Sequence, residues 1–384
     1  MTFEFATAGR ILFGRGAVRQ VPELARGLGK RALLVLGRSG RGGDEMAAAL
    51  EGAGIPSARY HVGGEPTTTM VDEASALARG FGCDLVVSLG GGSVIDLGKA
   101  VAGMLANPGE VLDYLEVVGR GMPLANPALP SIAIPTTSGT GAEVTRNAVL
   151  DVAGKDVKVS LRSFHLLPRA AVVDPSLTDG LPPAITAYTG MDAVTQLIEA
   201  FVGNAANPMT DGVCREGLRL AAGAIVPAVE DGSNQAARDA MSVAATFSGM
   251  ALANAKLGAV HGFAGVLGGV TGHAHGAICA RLLPFVCEAN VRALRRSPEG
   301  TRTLDRYAEV ARILTGDPSA RPEGVADWAR RVGERFAIPT LGAGGLEASA
   351  IPAIIPSAER ASSMQGNPIK LPADELRAIL EAAL

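Results

Sequence analysis

The chain has 384 residues, 47% of them apolar, with 49 Gly, 23 Pro, 4 Cys, 1 Trp and only 5 His, and its formal net charge is -3. At about 150 residues per domain this length fits two to three domains, and such a chain buries roughly three quarters of its unfolded surface, which excludes a disordered protein. Lys and Arg (35) are interspersed with Asp and Glu (38), so no basic field for nucleic acid and no polybasic membrane patch is present.

The opening MTFEFATAGRILFG has no charged segment followed by an apolar core and a cleavage site, so no secretory signal is read and a cytoplasmic protein is expected. Short apolar, β-rich runs then alternate with helical patterns: 32–36 with 45–52, 57–61 with 70–80, and 85–89 with 94–106. This alternation predicts βαβ units and a parallel, Rossmann-like sheet, because parallel neighbours need a crossover. Strand-like runs recur at 131–134, 146–150, 157–161 and 170–173. The DVAGKD segment, 151–156, carries turn chemistry and predicts a hairpin at the sheet's edge. Beyond Asp174-Pro175 helical periodicity takes over, giving an α/β domain over 1–178 and an all-α domain over 179–384. The stretch 240–270 is rich in small apolar residues, but Asn254, Lys256, His261 and repeated Gly break it, so it reads as packed helices.

Three loops carry the chemistry of the first domain. Gly90-Gly91-Gly92-Ser93 lies between an apolar strand and a helix, where glycines admit a phosphate to the helix N-terminus; a plain tight turn is the competing reading. Pro135 to Glu143, PTTSGTGAE, puts hydroxyls and glycines at the carboxyl end of another strand, the edge at which open α/β sheets bind ligands. Gly37-Arg38-Ser39-Gly40-Arg41 does not spell GxGxxG and offers no acid for a ribose 2′-OH. Its arginines suit a 2′-phosphate instead, so NADP stands beside NAD, and solvated loop charges are the alternative.

In the helical half, Asp192 and Gln196 lie four apart on one helix face, and His261 and His275 follow fourteen residues from each other. A carboxylate with two imidazoles is a set for a first-row metal, against which each histidine alone reads as a packed or surface residue. The cysteines Cys83, Cys214, Cys279 and Cys287 are widely spaced and form no CxxC pair. They read as reduced structural thiols, and a cysteine-based zinc site is excluded.

The motifs ILFG (11–14), GGGSVID, PTTSGTGAEVT, Val173-Asp174-Pro175, GMDA and SSMQGNP (362–368) stand in one order over nearly the whole chain. In this the chain resembles the iron-containing, or group III, alcohol dehydrogenase family. The resemblance implies a dinucleotide-binding α/β domain, an all-helical C-terminal domain, a dehydroquinate synthase-like architecture, and NAD or NADP as cofactor. It implies Gly91, Gly92 and Ser93 at the pyrophosphate, Thr136, Thr137 and Thr140 near ribose and nicotinamide, and Lys158 and Val149 approaching from the hairpin. The family's metal set is an aspartate and three histidines; Asp192, His261 and His275 match three positions. Gln196 stands at the fourth, and Gly265 stands where many members carry a further histidine.

An amide oxygen is a poor ligand for Fe2+ or Zn2+ beside imidazole. A weakened site built from Asp192, Gln196, His261 and His275, or no metal at all, is therefore expected. With a metal, Lewis acidity acts on the substrate oxygen; without one, His261, His275 or the Gln196 amide polarises it, a histidine serves as general acid/base, and His273 is a spare. The expected reaction is hydride transfer between nicotinamide C4 and a small alcohol, aldehyde or ketone, in a homodimer with no nucleic-acid or membrane partner. The alternatives are a metal-independent oxo-acid reductase of the maleylacetate reductase type, a dehydroquinate synthase-like lyase, and an inactive paralogue.

Overall fold

Runs of Val, Leu, Ile and Ala separated by helices build one parallel sheet in the computed structural model, which describes residues 2–116, 118–152 and 158–384. Its strands are β1 (Ile11–Phe13), β2 (Ala32–Gly37), β3 (Ser57–Val62), β4 (Leu85–Gly90), β5 (Ser131–Pro135) and, after two hairpin strands β6 (Asn147–Asp151) and β7 (Lys158–Arg162), β8 (Ala170–Val173). The order is β1-β8-β5-β4-β2-β3, every pairing parallel. Strands β2, β4 and β5 are buried on both faces, which is why they read as continuous apolar runs rather than as alternation. The three-residue edge strand β1 has no such run and was not foreseen from the sequence.

The chain winds from β2 outward to β3 and then returns to place β4 on the other side of β2, so the topological switch point lies between β2 and β4. Ligands of open α/β sheets bind outside the carboxyl ends of strands at such a point. Gly37 ends β2, Gly90 ends β4 and Pro135 ends β5, all at one edge.

The hairpin forms, with β6 and β7 antiparallel, but as a separate two-stranded sheet rather than at the edge of the main one. Residues 153–157, most of the DVAGKD turn and the first residue of the strand expected at 157–161, lie outside the described residues. The reason for the hairpin's position is packing: Ala148, Leu150, Val159 and Leu161 are buried in the same core as Val94, Leu97 and Val101 of the helix Gly92–Ala106. Lys99, buried on that helix, fastens it there. Its ammonium pairs with Asp96 (2.8 Å), donates to the Ala142 carbonyl (3.0 Å) and Thr145 Oγ1 (2.9 Å), and bonds the Asn147 carbonyl, while Asp96 accepts from Val149 N (3.1 Å).

Residues 6–179 form one unit, and Gly180–Leu384 form a second together with the N-terminal residues through Phe5. The described residues of the second unit hold helices and no strand. Its helix Pro183–Val202 is buried on nearly every side from Gly190 onward, as an apolar helix without a polar face must be. The next, Pro208–Glu230, starts from an Asn207 capping box with Thr210 and Pro at its first position. Among the described residues no single helix is long and apolar enough to cross a membrane. Gln235–Ala255 and Ala259–Leu267 reach the required composition only as a pair bent by 99°.

Candidate active site

The helix Gly92–Ala106 starts directly after β4, and its first backbone N–H groups lack intrahelical partners and carry the positive end of the helix dipole. The threonine-rich loop closes on this turn. Thr136 N donates to the Gly90 carbonyl (3.0 Å), and a Cβ on Gly91 would meet Thr137 Oγ1 at 3.5 Å. A Cβ on Gly92 would lie 2.8 Å from the Thr140 side chain, and one on Gly90 only 2.5 Å from Val94, so close approach demands glycine at 90 and 92. Ser93 Oγ lies 3.5 Å and Lys158 Nζ 3.3 Å from the same Glu65 oxygen. The glycine loop, the threonine loop and the hairpin lysine therefore converge at the ends of β4 and β5, while exposed Val149 is held through its backbone by Asp96. Across the switch point, Gly37 closes β2 and Arg38 is exposed. Arg41 donates to the Asp179 carbonyl (3.0 Å).

In the helical unit, Asp192, Gln196 and Glu199 share one face of the helix Pro183–Val202. His261 sits on the helix Ala259–Leu267, and His275 opens the helix His275–Arg296, with Cys279 one turn further on. Gly276 lets that last helix touch the Asp192 helix, since a Cβ there would stand 2.2 Å from the Tyr188 carbonyl. Asp192 Oδ1 lies 3.1 Å from His261 Nε2 and 3.7 Å from His275 Nε2; Cys279 Sγ lies 3.7 Å and 3.6 Å from the same two nitrogens. One ligand atom from each of these four residues falls within 4.8 Å of all the others. Tetrahedral bonds of about 2.0–2.3 Å separate donors by about 3.3–3.7 Å, so the group fits one divalent ion.

The surroundings prepare these donors. Glu199 Oε2 accepts from His261 Nδ1 (2.6 Å) and Oε1 from Val260 N (2.7 Å), which turns His261 Nε2 toward Asp192 and Cys279. Asn367, from the SSMQGNP motif, accepts from Ala259 N (3.1 Å) and so anchors the start of the His261 helix. Burial opposes a charged imidazole at both histidines. The Cys279 sulfur and Asp192 outweigh it, raising His275 and holding His261 well above the ordinary range. Burial likewise opposes the Asp192 carboxylate, but the His261 hydrogen bond and the charge of His275 prevail and hold it below the usual carboxylate range. Asp192 and His261 are buried, whereas the His275 side chain is 34% exposed, so the group opens on the His275 side.

Gln196 lies beside this group with its amide already engaged: Nε2 donates to Asp192 Oδ2 (3.3 Å) and Oε1 accepts from Ser248 Oγ (2.9 Å). His273 is held elsewhere, donating through Nε2 to the Thr340 carbonyl (2.8 Å), with its ring against Gly344. A Cβ on Gly265 would meet nothing within 4 Å, so this position is open space. Sequence reasoning missed Cys279, Glu199 and Lys99. The search for CxxC spacing passed over Cys279, because His275 and Cys279 meet through the i,i+4 spacing of a helix.

Residues 8–175 match the profile of the iron-containing alcohol dehydrogenase family, and residues 186–384 that of the Fe-containing alcohol dehydrogenase family, C-terminal. A 4-hydroxybutyrate dehydrogenase of Cupriavidus necator is 40% identical over 283 residues, 72% of this chain and 71% of that protein. The solved structure of a 1,3-propanediol oxidoreductase superposes with a TM-score of 0.92 at 33% identity, covering 100% of both chains. A sulfoacetaldehyde reductase from Bifidobacterium kashiwanohense, solved in complex with NAD+, gives a TM-score of 0.87 at 28% identity over 100% of this chain and 99% of that one. Profile, relatives and fold agree, and the chain belongs to the iron-containing alcohol dehydrogenase family, oxidoreductases that act on CH–OH groups.

Proposed function

We propose that the protein is a nicotinamide-dependent alcohol dehydrogenase or carbonyl reductase for a small alcohol, aldehyde or ketone, with a short primary alcohol and its aldehyde as the first choice. The observation that carries the reading is the closure of the threonine loop on the glycine turn at the switch point, where Thr140 leaves no room for a side chain at Gly92. A cradle that tight, at the N-terminus of a 15-residue helix, suits a pyrophosphate. The names of three relatives, for hydroxybutyrate, propanediol and sulfoacetaldehyde, support a short substrate, whereas a long-chain-alcohol dehydrogenase 37% identical over 385 residues makes chain length a point for the test.

When bound, a reduced nicotinamide supplies the hydride and a divalent metal supplies positive charge at the carbonyl oxygen. The residues of the chain do the rest. Gly91, Gly92 and Ser93 present backbone donors to phosphate, and Thr136, Thr137 and Thr140 present hydroxyls beside them. Lys158, paired with Glu65, adds a cation at the same edge. In the helical unit Glu199 fixes the His261 ring by taking its Nδ1 proton into a hydrogen bond, and Gln196 fixes the second Asp192 oxygen. His275, the exposed member, marks the side of the group from which the substrate oxygen and solvent approach. The metal-independent oxo-acid reductase rests on the missing histidines at 196 and 265, and the four-donor group favours the metal-dependent reading over it.

Arg38, exposed at the end of β2 with no acidic residue at the strand end, is the proposed reader of an NADP 2′-phosphate. Oxidation of NADPH and NADH against a panel of short aldehydes tests both points. Net turnover with at least one aldehyde is expected, and Arg38→Ala is expected to raise KM for NADPH by about tenfold, near 1.4 kcal/mol, with little change for NADH. Tight cofactor binding without turnover on any carbonyl or alcohol rejects the dehydrogenase reading, and equal effects on both cofactors reject the role of Arg38.

A further inference from the structure

Cys279 packs in the apolar core of the helical unit, but on one side it meets polar donors that a structural thiol does not need. It is fully buried, yet its sulfur lies at van der Waals distance from two imidazole nitrogens and close to a carboxylate, all turned toward one point. Gln196, at the position of the absent histidine, has its amide engaged with Asp192 and Ser248. The missing donor on one helix is thus matched by a donor on another, one turn beyond His275 as Gln196 is one turn beyond Asp192.

We propose that Cys279 is the fourth ligand of a divalent transition-metal site completed by Asp192, His261 and His275, and that Gln196 is a positioning residue that orients Asp192. Binding exchanges water on the ion for one sulfur, two imidazole nitrogens and one carboxylate oxygen and releases to solvent the thiol proton and any proton on the imidazole Nε2 atoms, with no change in oxidation state. A thiolate with two imidazoles and a carboxylate is a zinc-type donor set, so the site takes Zn2+ or Co2+ in preference to Fe2+. The inference deepens the dehydrogenase reading and rests on it for the purpose of the metal, but its test reads the metal rather than turnover.

The full-length protein, stripped by a chelator and loaded with Co2+, is expected to show thiolate-to-cobalt charge-transfer absorption in the near ultraviolet together with tetrahedral d–d bands in the visible. Cys279→Ser should abolish the charge-transfer band and weaken Zn2+ binding, measured by chelator competition, by more than about 100-fold. Gln196→Ala should keep the band and lose only about 10–100-fold in affinity, the cost of a supporting hydrogen bond. A wild-type cobalt protein without the charge-transfer band overturns the proposal, and so does a Cys279→Ser protein with unchanged zinc affinity. If Cys279→Ser fails to fold, the wild-type spectrum alone decides. Aldehyde turnover without a thiolate band refutes the ligand and leaves the dehydrogenase standing; a thiolate band without turnover does the reverse.

Discussion

A lysine ammonium taken out of water is stable only when every donor finds an acceptor, and Lys99 meets that condition through Asp96, two backbone carbonyls and Thr145. Asp96 needs it in turn: burial pushes its carboxyl up, and the Lys99 charge is the main influence opposing that rise. Lys99→Met should therefore destabilise the 6–179 unit by about 3–5 kcal/mol, read as a lower urea midpoint, because it strands a buried carboxylate. A change below about 1 kcal/mol would show that the pair contributes little beyond packing. The other cysteines behave as the sequence suggested. Burial pushes the thiols of Cys214 and Cys287 up, and that of Cys83 to about 11, which marks all three as poor nucleophiles and poor ligands.

At the scale of elements, the glycine turn after β4 and the loop after β5 act as one device. Gly92→Ala should push Thr140 aside and weaken dinucleotide binding by about tenfold, within the 1–3 kcal/mol typical of overpacking, as measured by calorimetry. Adding Thr140→Ala should restore part of that loss, and failure to do so would place the cofactor elsewhere. Both loops were legible in the sequence because a strand buried on both faces announces itself as an apolar run, and the residues just beyond it are then fixed at the sheet edge. The edge strand β1 escaped because three residues carry no period. The hairpin was read as a hairpin but misplaced, since alternation in β6 and β7 says that one face is buried without saying against what. Cys279 was hidden for a related reason: an i,i+4 pair means a shared site only once both residues are known to lie on one helix, and GHAHGAIC starts in a glycine-rich loop.

For the molecule as a whole, the proposed metal ligands all belong to the unit formed by residues 180–384, and the proposed phosphate-binding loops all belong to the unit of residues 6–179. A ligand stabilises only what it binds, by about 4 kcal/mol at a thousandfold excess over its dissociation constant. Scanning calorimetry of the intact protein should accordingly resolve two responses: Zn2+ raises the transition of the helical unit, and NADPH raises that of the α/β unit. A uniform shift of a single transition by either ligand would show instead that the units unfold as one. The position of the sulfur also bears on descent. Residue 196 stands one turn along from Asp192 and residue 279 one turn along from His275, so a lineage can acquire the cysteine while a histidine still serves at 196.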